Sequence, residues 1–334
     1  MTALLIPEHA TAQTAPPVKK LSAQVTVSQE PYAGWQGAYR LTNGTAEVVI
    51  VPQIARIMRY GFVGGENLLW NNPAELGKPG DTSGNWRNFG GDKPWPWSQD
   101  DWSKWFGAAW PPPPETDQKP YKAELVGAST LRLTSEVIPK IGCRFVRDIT
   151  LSETGSRLYV VTKLERVADG FTDPVAAWTI TQTPFVRGDL KARLYPGSTT
   201  LAEGWRIMGD SLPLQGVARS ADGQVLTVTR DPAAKTGRKL GFDGDAITGV
   251  IGGTVLTIRA DTPNASGFDW RPGERGQIYI SDMATPYIEW EFTSPMKPLK
   301  KGESVTLATT FEAKQLAADR NANDALDAAA RGKE

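Results

Sequence analysis

Hydrophobic and polar residues alternate with a period of two along most of the chain. In the segment 287–292, Ile288 and Trp290 share one side of the predicted strand, and Glu289 and Glu291 share the other. Successive side chains of a strand point to opposite faces, so this pattern predicts antiparallel sheets with one buried side. The strands predicted in this way span residues 35–42, 45–51, 54–61, 129–137, 143–151, 156–167, 174–182, 224–230, 253–260, 276–283, 287–292 and 303–311.

The order of these segments predicts an all-β fold with large antiparallel sheets packed together. Helices and strands do not alternate as in βαβ units, and no short internal repeat indicates a propeller or a solenoid. We expect a single domain over residues 21–313, preceded at 1–20 by a disordered leader or signal-peptide remnant. The Ala-rich, charged segment 314–334 predicts a C-terminal surface helix or tail.

Composition and charge limit which kinds of binding partner and site the sequence predicts. Lys and Arg number 37 and Asp and Glu also number 37, so no net charge favours nucleic acid or an anionic membrane. No apolar stretch reaches the roughly 18 residues of a membrane span. The single cysteine, Cys143, excludes an internal disulfide and a cysteine-based zinc site. The single histidine, His9, lies in the leader, so the folded body lacks the usual proton shuttle of neutral pH.

The first residues of the chain favour a particular cellular location for the protein. A short apolar run is followed by Ala10-Thr11-Ala12, which resembles the small-residue end of a secretory signal. This favours a periplasmic or secreted protein, with a cytoplasmic location as the alternative. We expect a monomer.

Six of the 12 tryptophans fall within residues 85–114, here called the tryptophan-rich segment. Glycines and prolines interrupt it, so we predict a loop. Indole rings offer flat apolar faces with one N–H donor, and polar residues between them complete the composition of a ligand pocket. The segment therefore predicts a saccharide site. The alternative is that the rings pack a loop against its own sheet.

Candidate acid–base groups come from two places. Glu289 and Glu291 share a strand face with Cα atoms about 6.5–7 Å apart. Neighbouring carboxylates can differ in pKa and act as acid and base, as in glycoside hydrolases. Alternatively, they are solvated or paired with arginines. Asp92 and Lys93 follow two glycines that allow close approach of a ligand, and the alternative there is an ion pair within a loop.

Three segments, taken in order, resemble the galactose-mutarotase-like (aldose 1-epimerase-like) superfamily, and most closely an uncharacterised bacterial branch of it. They are NFGGDKPWPW at 88–97, the paired strands at 143–185, and YIEWEFTSPMKPLKKGESVTLATTFEA at 287–313. The resemblance implies a β-supersandwich whose concave face binds carbohydrate. It also implies a carboxylate base, at Glu289 or Glu291, and a histidine acid that opens the sugar ring. Gln182 stands near the position of that histidine, and an amide cannot donate a proton as an acid.

These arguments predict a protein that binds a mono- or oligosaccharide and carries carboxylate acid–base groups, such as a sugar isomerase or a glycoside-cleaving enzyme. A non-catalytic glycan-binding protein and an accessory protein-interaction domain are the alternatives. No metal and no cofactor are predicted. The catalytic candidates are Glu289, Glu291 and Asp92. The candidate substrate-binding residues are Asn88, Lys93, Trp95, Trp97, Gln182, Trp178 and Arg59.

Overall fold

A computed structural model describes most of the chain. The described residues are 24–186, 188–195, 201–209, 216–261, 270–282, 284 and 286–332. The predicted leader at 1–20, with His9, lies outside them. Within the described ranges the chain forms two sheets of ten strands each, and every strand pairing there is antiparallel.

The first sheet, called sheet 1, holds the central strands on which the site is built. In spatial order it contains β1 (Thr26–Tyr32), β2 (Trp35–Thr42), β3 (Ala46–Val51), β4 (Arg56–Phe62), β5 (Asp92–Trp97), β10 (Ala176–Pro184), β19 (Tyr287–Thr293), β18 (Gly276–Ile280), β15 (Arg238–Phe242) and β12 (Trp205–Ile207).

Sheet 2 packs against sheet 1. In spatial order it contains β13 (Val217–Arg219), β14 (Val225–Val228), β11 (Leu190–Leu194), β16 (Gly244–Ile251), β17 (Thr254–Ala260), β20 (Ser304–Gln315), β9 (Leu158–Arg166), β8 (Cys143–Leu151), β7 (Thr130–Thr134) and β6 (Lys122–Leu125). The described helices are α1 (Trp102–Phe106), α2 (Pro114–Asp117) and α3 (Ala322–Arg331), with 3-10 turns at Pro52–Ile54, Pro73–Glu75 and Gln99–Asp101.

Apolar side chains from both sheets form one core between them. Ile288, Trp290 and Phe292 of β19 are buried in it, which confirms the alternation predicted for this strand. Polar groups also cross the interface: Arg147 of β8 forms a buried ion pair with Asp92 of β5. The face of sheet 1 that meets sheet 2 is called its inner face, and the opposite face its outer face.

The tryptophan-rich segment is not one loop, as predicted, because residues 92–97 form β5 near the middle of sheet 1. Pro94 and Pro96 lack N–H donors and argued against a strand. β5 tolerates them because, in the part of the chain that the structure describes, β4 pairs with it at Ile57 and Asp92 alone, and most of that edge of β5 has no partner strand.

Most of the indoles of this segment are also buried by packing. Trp95, Trp97, Trp102 and Trp105 are buried among other apolar side chains, whereas Trp110 keeps 47% of its surface exposed. The packing alternative is therefore the correct one for Trp102 and Trp105, which lie in α1 and touch the aromatic rings around them.

The sequence pattern missed several strands, among them β1, β5, β11, β15 and β16. β16 is buried at every residue, because sheet 1 lies on one side and α3 on the other. A strand covered on both faces shows no alternation of polar and apolar residues. Its sequence therefore could not be recognised by a period of two.

The C-terminal tail begins as a strand, because β20 continues to Gln315, and only 322–331 is helical. The Asn321 side chain caps α3 by accepting from the Asn323 N–H at 2.8 Å. Leu326 and Ala329 bury one side of the helix against Val250 and Val255. A surface helix thus forms as predicted, over a shorter range.

Among the helices of the described residues, none combines the length and the apolar character that crossing a bilayer requires.

Candidate functional site

Strand register brings the predicted site residues together on the outer face of sheet 1. Lys93 of β5 lies opposite Ile180 of β10, and Ile180 lies opposite Glu291 of β19. Gln182 lies opposite Glu289 in the same way. Residues directly opposite in neighbouring strands point to the same face. Lys93, Gln182, Glu289 and Glu291 therefore form one polar group on a single surface.

A pocket of about 280 Å³ opens above this group. Its aromatic walls are Trp86, Trp95, Trp110, Trp178, Tyr279 and Tyr287. Its polar lining is Gln99, Lys239 and Glu289. Apolar walls around a few placed polar groups are typical of a small-molecule site.

Asp117 of α2 fixes the orientation of two pocket indoles. Its carboxylate accepts from Trp95 Nε1 at 2.9 Å and from Trp86 Nε1 at 3.1 Å. It also forms a fully buried ion pair with Arg56 at 2.8 Å. The rings of Trp86 and Trp95 meet edge to face, with centroids 5.8 Å apart. These contacts hold the aromatic wall in place before any ligand binds.

The two glutamates have different partners. Glu289 lines the pocket, and its Oε1 accepts from Gln182 Nε2 at 2.8 Å. Glu291 is fully buried, and its Oε2 accepts from Lys239 Nζ at 2.9 Å. Burial raises the pKa of Glu291 to about 7, although the Lys239 ammonium acts in the opposite direction. Near neutral pH, Glu291 is thus a carboxyl group that can hold or release a proton.

Lys93 is a buried cation beside Glu289. Its Nζ lies 3.5 Å from Glu289 Oε1, and 4.8 Å and 5.7 Å from the ring centroids of Trp95 and Trp86. Burial lowers the pKa of Lys93 to about 8, with the Glu289 carboxylate opposing the shift. Lys239 similarly lies 4.7 Å from the ring centroid of Trp178.

Several buried polar atoms of this group have no hydrogen-bond partner within the described structure. They are Lys93 Nζ, Trp178 Nε1, Gln182 Oε1 and Glu291 Oε1. An unpaired buried polar group costs about 1–3 kcal/mol, so its persistence calls for an explanation. Donors and acceptors gathered beside one aromatic pocket fit a hydroxyl-rich ligand that satisfies some of them.

Of the predicted site residues, Trp95, Trp178 and Glu289 line the pocket. Three others lie apart from both the pocket and the polar group beside it. Asp92 points to the inner face, where it binds Arg147 and accepts from Thr181 Oγ1 at 2.8 Å. Arg59 pairs with Glu47 at 2.7 Å. Asn88 accepts from the Gly90 N–H at 3.3 Å through its side chain and does not line the pocket.

Trp97 lies behind the pocket. Its Nε1 donates to Glu274 at 2.7 Å, and its ring packs on Trp178 with centroids 4.8 Å apart. Trp95 and Trp178, two of the candidate substrate-binding residues, line the cavity. Trp97 therefore supports the wall that Trp178 forms.

No family model matches the chain, and no curated protein sequence matches it. A galactose mutarotase related enzyme from Lactobacillus acidophilus superimposes with a TM-score of 0.50 and 10% identity, over 85% of this chain and 99% of that one. The chain has a galactose-mutarotase-like fold. The YeaD protein of Salmonella typhimurium gives a TM-score of 0.49 and 12% identity, over 90% of this chain and 97% of that one.

The predicted resemblance and the predicted all-β fold class are thus confirmed. At these identities the likeness concerns the fold alone. The role of each side chain in this chain therefore follows from its own surroundings.

Sequence reasoning missed Lys239 and Tyr279 among the pocket residues, and it identified Trp86 and Trp110 only as members of the tryptophan-rich segment. Lys239 and Tyr279 lie on β15 and β18, and their side chains share the face of Glu289 only through strand pairing across three strands. Asp117 was also missed, although an acidic residue after the Trp-rich run is a natural acceptor for indole N–H groups. The described residues contain no group of three or more His, Cys, Asp or Glu that could hold a metal ion.

Proposed function

We propose that the outer-face pocket binds a mono- or oligosaccharide and that Glu289 and Glu291 act as acid–base groups near its anomeric carbon. The observation that carries this proposal is the combination of four indole walls with unsatisfied donors and acceptors beside them. Sugar rings present C–H faces to indoles and hydroxyls to polar groups, so they match both parts.

The two carboxyls suit different roles in this chemistry. Glu289 lines the pocket and serves as the base. Glu291, with its raised pKa and its contact to Lys239, is a proton reservoir behind it. A pair of carboxyls whose surroundings separate their pKa values is a recurrent acid–base arrangement. The name of the Lactobacillus acidophilus protein, a galactose mutarotase related enzyme, agrees with an anomeric-centre reaction.

Binding is tested through Trp110, because this exposed indole can be removed without opening the core. The Trp110→Ala variant is expected to bind sugar about 10- to 100-fold more weakly, the equivalent of about 1–3 kcal/mol of lost stacking and burial. Thermal-shift screening of a monosaccharide and glycan panel finds the ligand, and calorimetry then measures its affinity.

The control is Tyr159→Ala, since Tyr159 is an aromatic residue of β9 with 40% exposure in sheet 2. This variant is expected to keep wild-type affinity. The binding proposal fails if no sugar of the panel stabilises the wild-type protein, or if the two variants weaken binding equally.

Catalysis is tested by Glu289→Gln and Glu291→Gln. Each is expected to lower turnover by about 10²–10⁴-fold while the dissociation constant changes little, because an amide keeps the shape but cannot exchange a proton. NMR of anomeric exchange and an assay for glycoside cleavage measure the rate. Wild-type rates in both variants would contradict the roles given to these residues.

A non-catalytic glycan-binding protein is the second candidate. It is favoured by Gln182, whose amide donates to Glu289 at the place where the resemblance implies a histidine acid. In that case the Trp110 result stands, and no sugar that binds shows accelerated exchange or cleavage.

A further inference from the structure

Lys93 is a buried cation that the fold does not use for a hydrogen bond. Its side chain is fully buried, yet Nζ has no hydrogen-bond partner in the described structure. An ammonium has three donors, and burying them without acceptors is costly. The nearest acceptor is Glu289 Oε1, 3.5 Å away, on the side chain that lines the pocket.

The charges around Lys93 come from three elements. Glu289 and Glu291 face it from β19, Arg56 from β4, and Asp117 from α2. Arg56 and Asp117 are already paired with each other at 2.8 Å. Glu291 is engaged with Lys239. Among these charged groups, Glu289 is thus the one that forms an ion pair with Lys93.

Its position places Lys93 next to the carboxylate that lines the pocket. The anomeric oxygen and the ring oxygen of a pyranose are both bonded to C1, so a base and an acid that serve them must be close neighbours. Glu289 Oε1 and Lys93 Nζ, 3.5 Å apart, meet this condition. A donor and an acceptor must each come within hydrogen-bond reach of the atoms that they serve.

We propose that Lys93 is the proton donor of this site, an inference that rests on the proposed function. Glu289 removes the proton from the anomeric hydroxyl, and the Lys93 ammonium gives a proton to the ring oxygen. The C1–O bond of the ring breaks and C1 becomes the carbonyl of the open aldose. Ring closure on either face of that carbonyl returns both protons, so atoms and charges balance over the cycle.

Other groups near the pocket fit this role less well. The Gln182 amide cannot act as an acid. Burial raises the pKa of Tyr279 to about 12 and raises that of Tyr287 as well, so both phenols are poor proton donors near neutral pH. Lys93, whose pKa burial brings to about 8, is protonated at pH 7 and can release its proton within reach of that pH.

The first measurement follows the Lys93 side chain by NMR in the full-length protein, with its Nζ and Cε signals assigned by their loss in Lys93→Met. The signals are expected to titrate with a midpoint near pH 8. They are also expected to shift when D-galactose or D-glucose is added, whichever of the two binds. A sugar that binds and leaves these signals unchanged overturns the role of Lys93.

The second measurement is the rate of anomeric exchange of the same sugar by magnetisation transfer. The wild-type rate is expected to fall above pH 8 as Lys93 loses its proton. Lys93→Met is expected to lose about 10²–10⁴-fold in rate while affinity changes less than about tenfold. Lys93→Arg keeps the positive charge but cannot release a proton, so it is expected to lose the rate as well.

The control is Lys297→Met, an exposed lysine paired with Glu303 at 3.7 Å, which is expected to exchange sugar at the wild-type rate. Restored exchange in Lys93→Arg would show that only the charge matters and would overturn the proton-donor role. Binding without accelerated exchange in the wild type overturns it too, and leaves sugar binding intact. Absence of any sugar binding in the wild type refutes the proposed function itself.

Discussion

Asp92 and Glu291 lie on strands of sheet 1 that are separated only by β10, and both carboxyls are buried, yet they face opposite sides of the sheet. Asp92 on the inner face uses both oxygens, one with Arg147 and one with Thr181. Glu291 on the outer face uses one oxygen with Lys239, and its Oε1 has no partner among the described residues. A buried carboxylate whose two oxygens both have partners is typical of a structural ion pair. A buried carboxylate beside a pocket with one unpaired oxygen is available to a ligand.

The same contrast holds for the indoles. Trp95 donates its N–H to Asp117, and Trp97 donates to Glu274, so both are held by the fold. Trp178 is just as buried, but its Nε1 has no partner in the described structure. Trp178 lines the pocket, where a sugar hydroxyl can accept from it.

The largest effect is expected on the inner face. Asp92→Asn breaks a buried ion pair and leaves the Arg147 guanidinium uncompensated, so the free energy of unfolding is expected to fall by about 3–5 kcal/mol. Urea unfolding at pH 7 measures it. A loss below about 1 kcal/mol would remove the distinction between the two faces.

A smaller effect, dependent on pH, is expected on the outer face. Because the pKa of Glu291 is raised from 4.5 to about 7 in the folded protein, protonation favours the fold. Its contribution to stability is complete below about pH 4.5 and is lost as pH rises through 7. The difference corresponds to about 3 kcal/mol.

Glu291→Gln is expected to remove this pH dependence, so that the variant gains stability relative to the wild type as pH rises from 4.5 to 8. Urea unfolding across that range compares the two proteins. Parallel stability curves would show that Glu291 does not titrate in this window.

The smallest effect concerns a matched pair of indoles. Trp95→Phe and Trp178→Phe remove the same atoms from two buried positions, but only Trp95 loses a hydrogen bond to a carboxylate. Trp95→Phe is therefore expected to be more destabilising than Trp178→Phe by about 1.5–3 kcal/mol. Trp178→Phe is expected instead to weaken sugar binding, which calorimetry measures. Equal losses of stability would contradict the distinction between the hydrogen-bonded N–H of Trp95 and the unpaired N–H of Trp178 in the described structure.

Much of the fold could be predicted from alternation alone. Ile288, Trp290 and Phe292 point into the core as their spacing indicated, and Glu289 and Glu291 share the other face. The prediction failed where both faces of a strand are covered. β5 and β16 are buried at every residue and so carry no period of two.

Only part of the candidate site could be predicted from the sequence. Trp95, Trp178 and Glu289 line the pocket, with Gln182, Lys93 and Glu291 buried beside them. Asp92 was predicted to be catalytic because it follows two glycines, but neighbours in a strand point to opposite faces, and Asp92 pairs with Arg147 on the face opposite to Lys93. Trp102 and Trp105 belong to the segment that predicted a saccharide site, but both are buried by packing against other side chains.

The order of side chains along each strand is a local property, and the sequence by itself determined which residues of β10 and β19 share a face. Which strands become neighbours depends on contacts between residues far apart in the chain. Only the tertiary structure placed Lys239 beside Glu291, Arg147 beside Asp92 and Asp117 beside two indoles. Those long-range contacts decide which buried charges are satisfied by the fold and which remain available for a ligand.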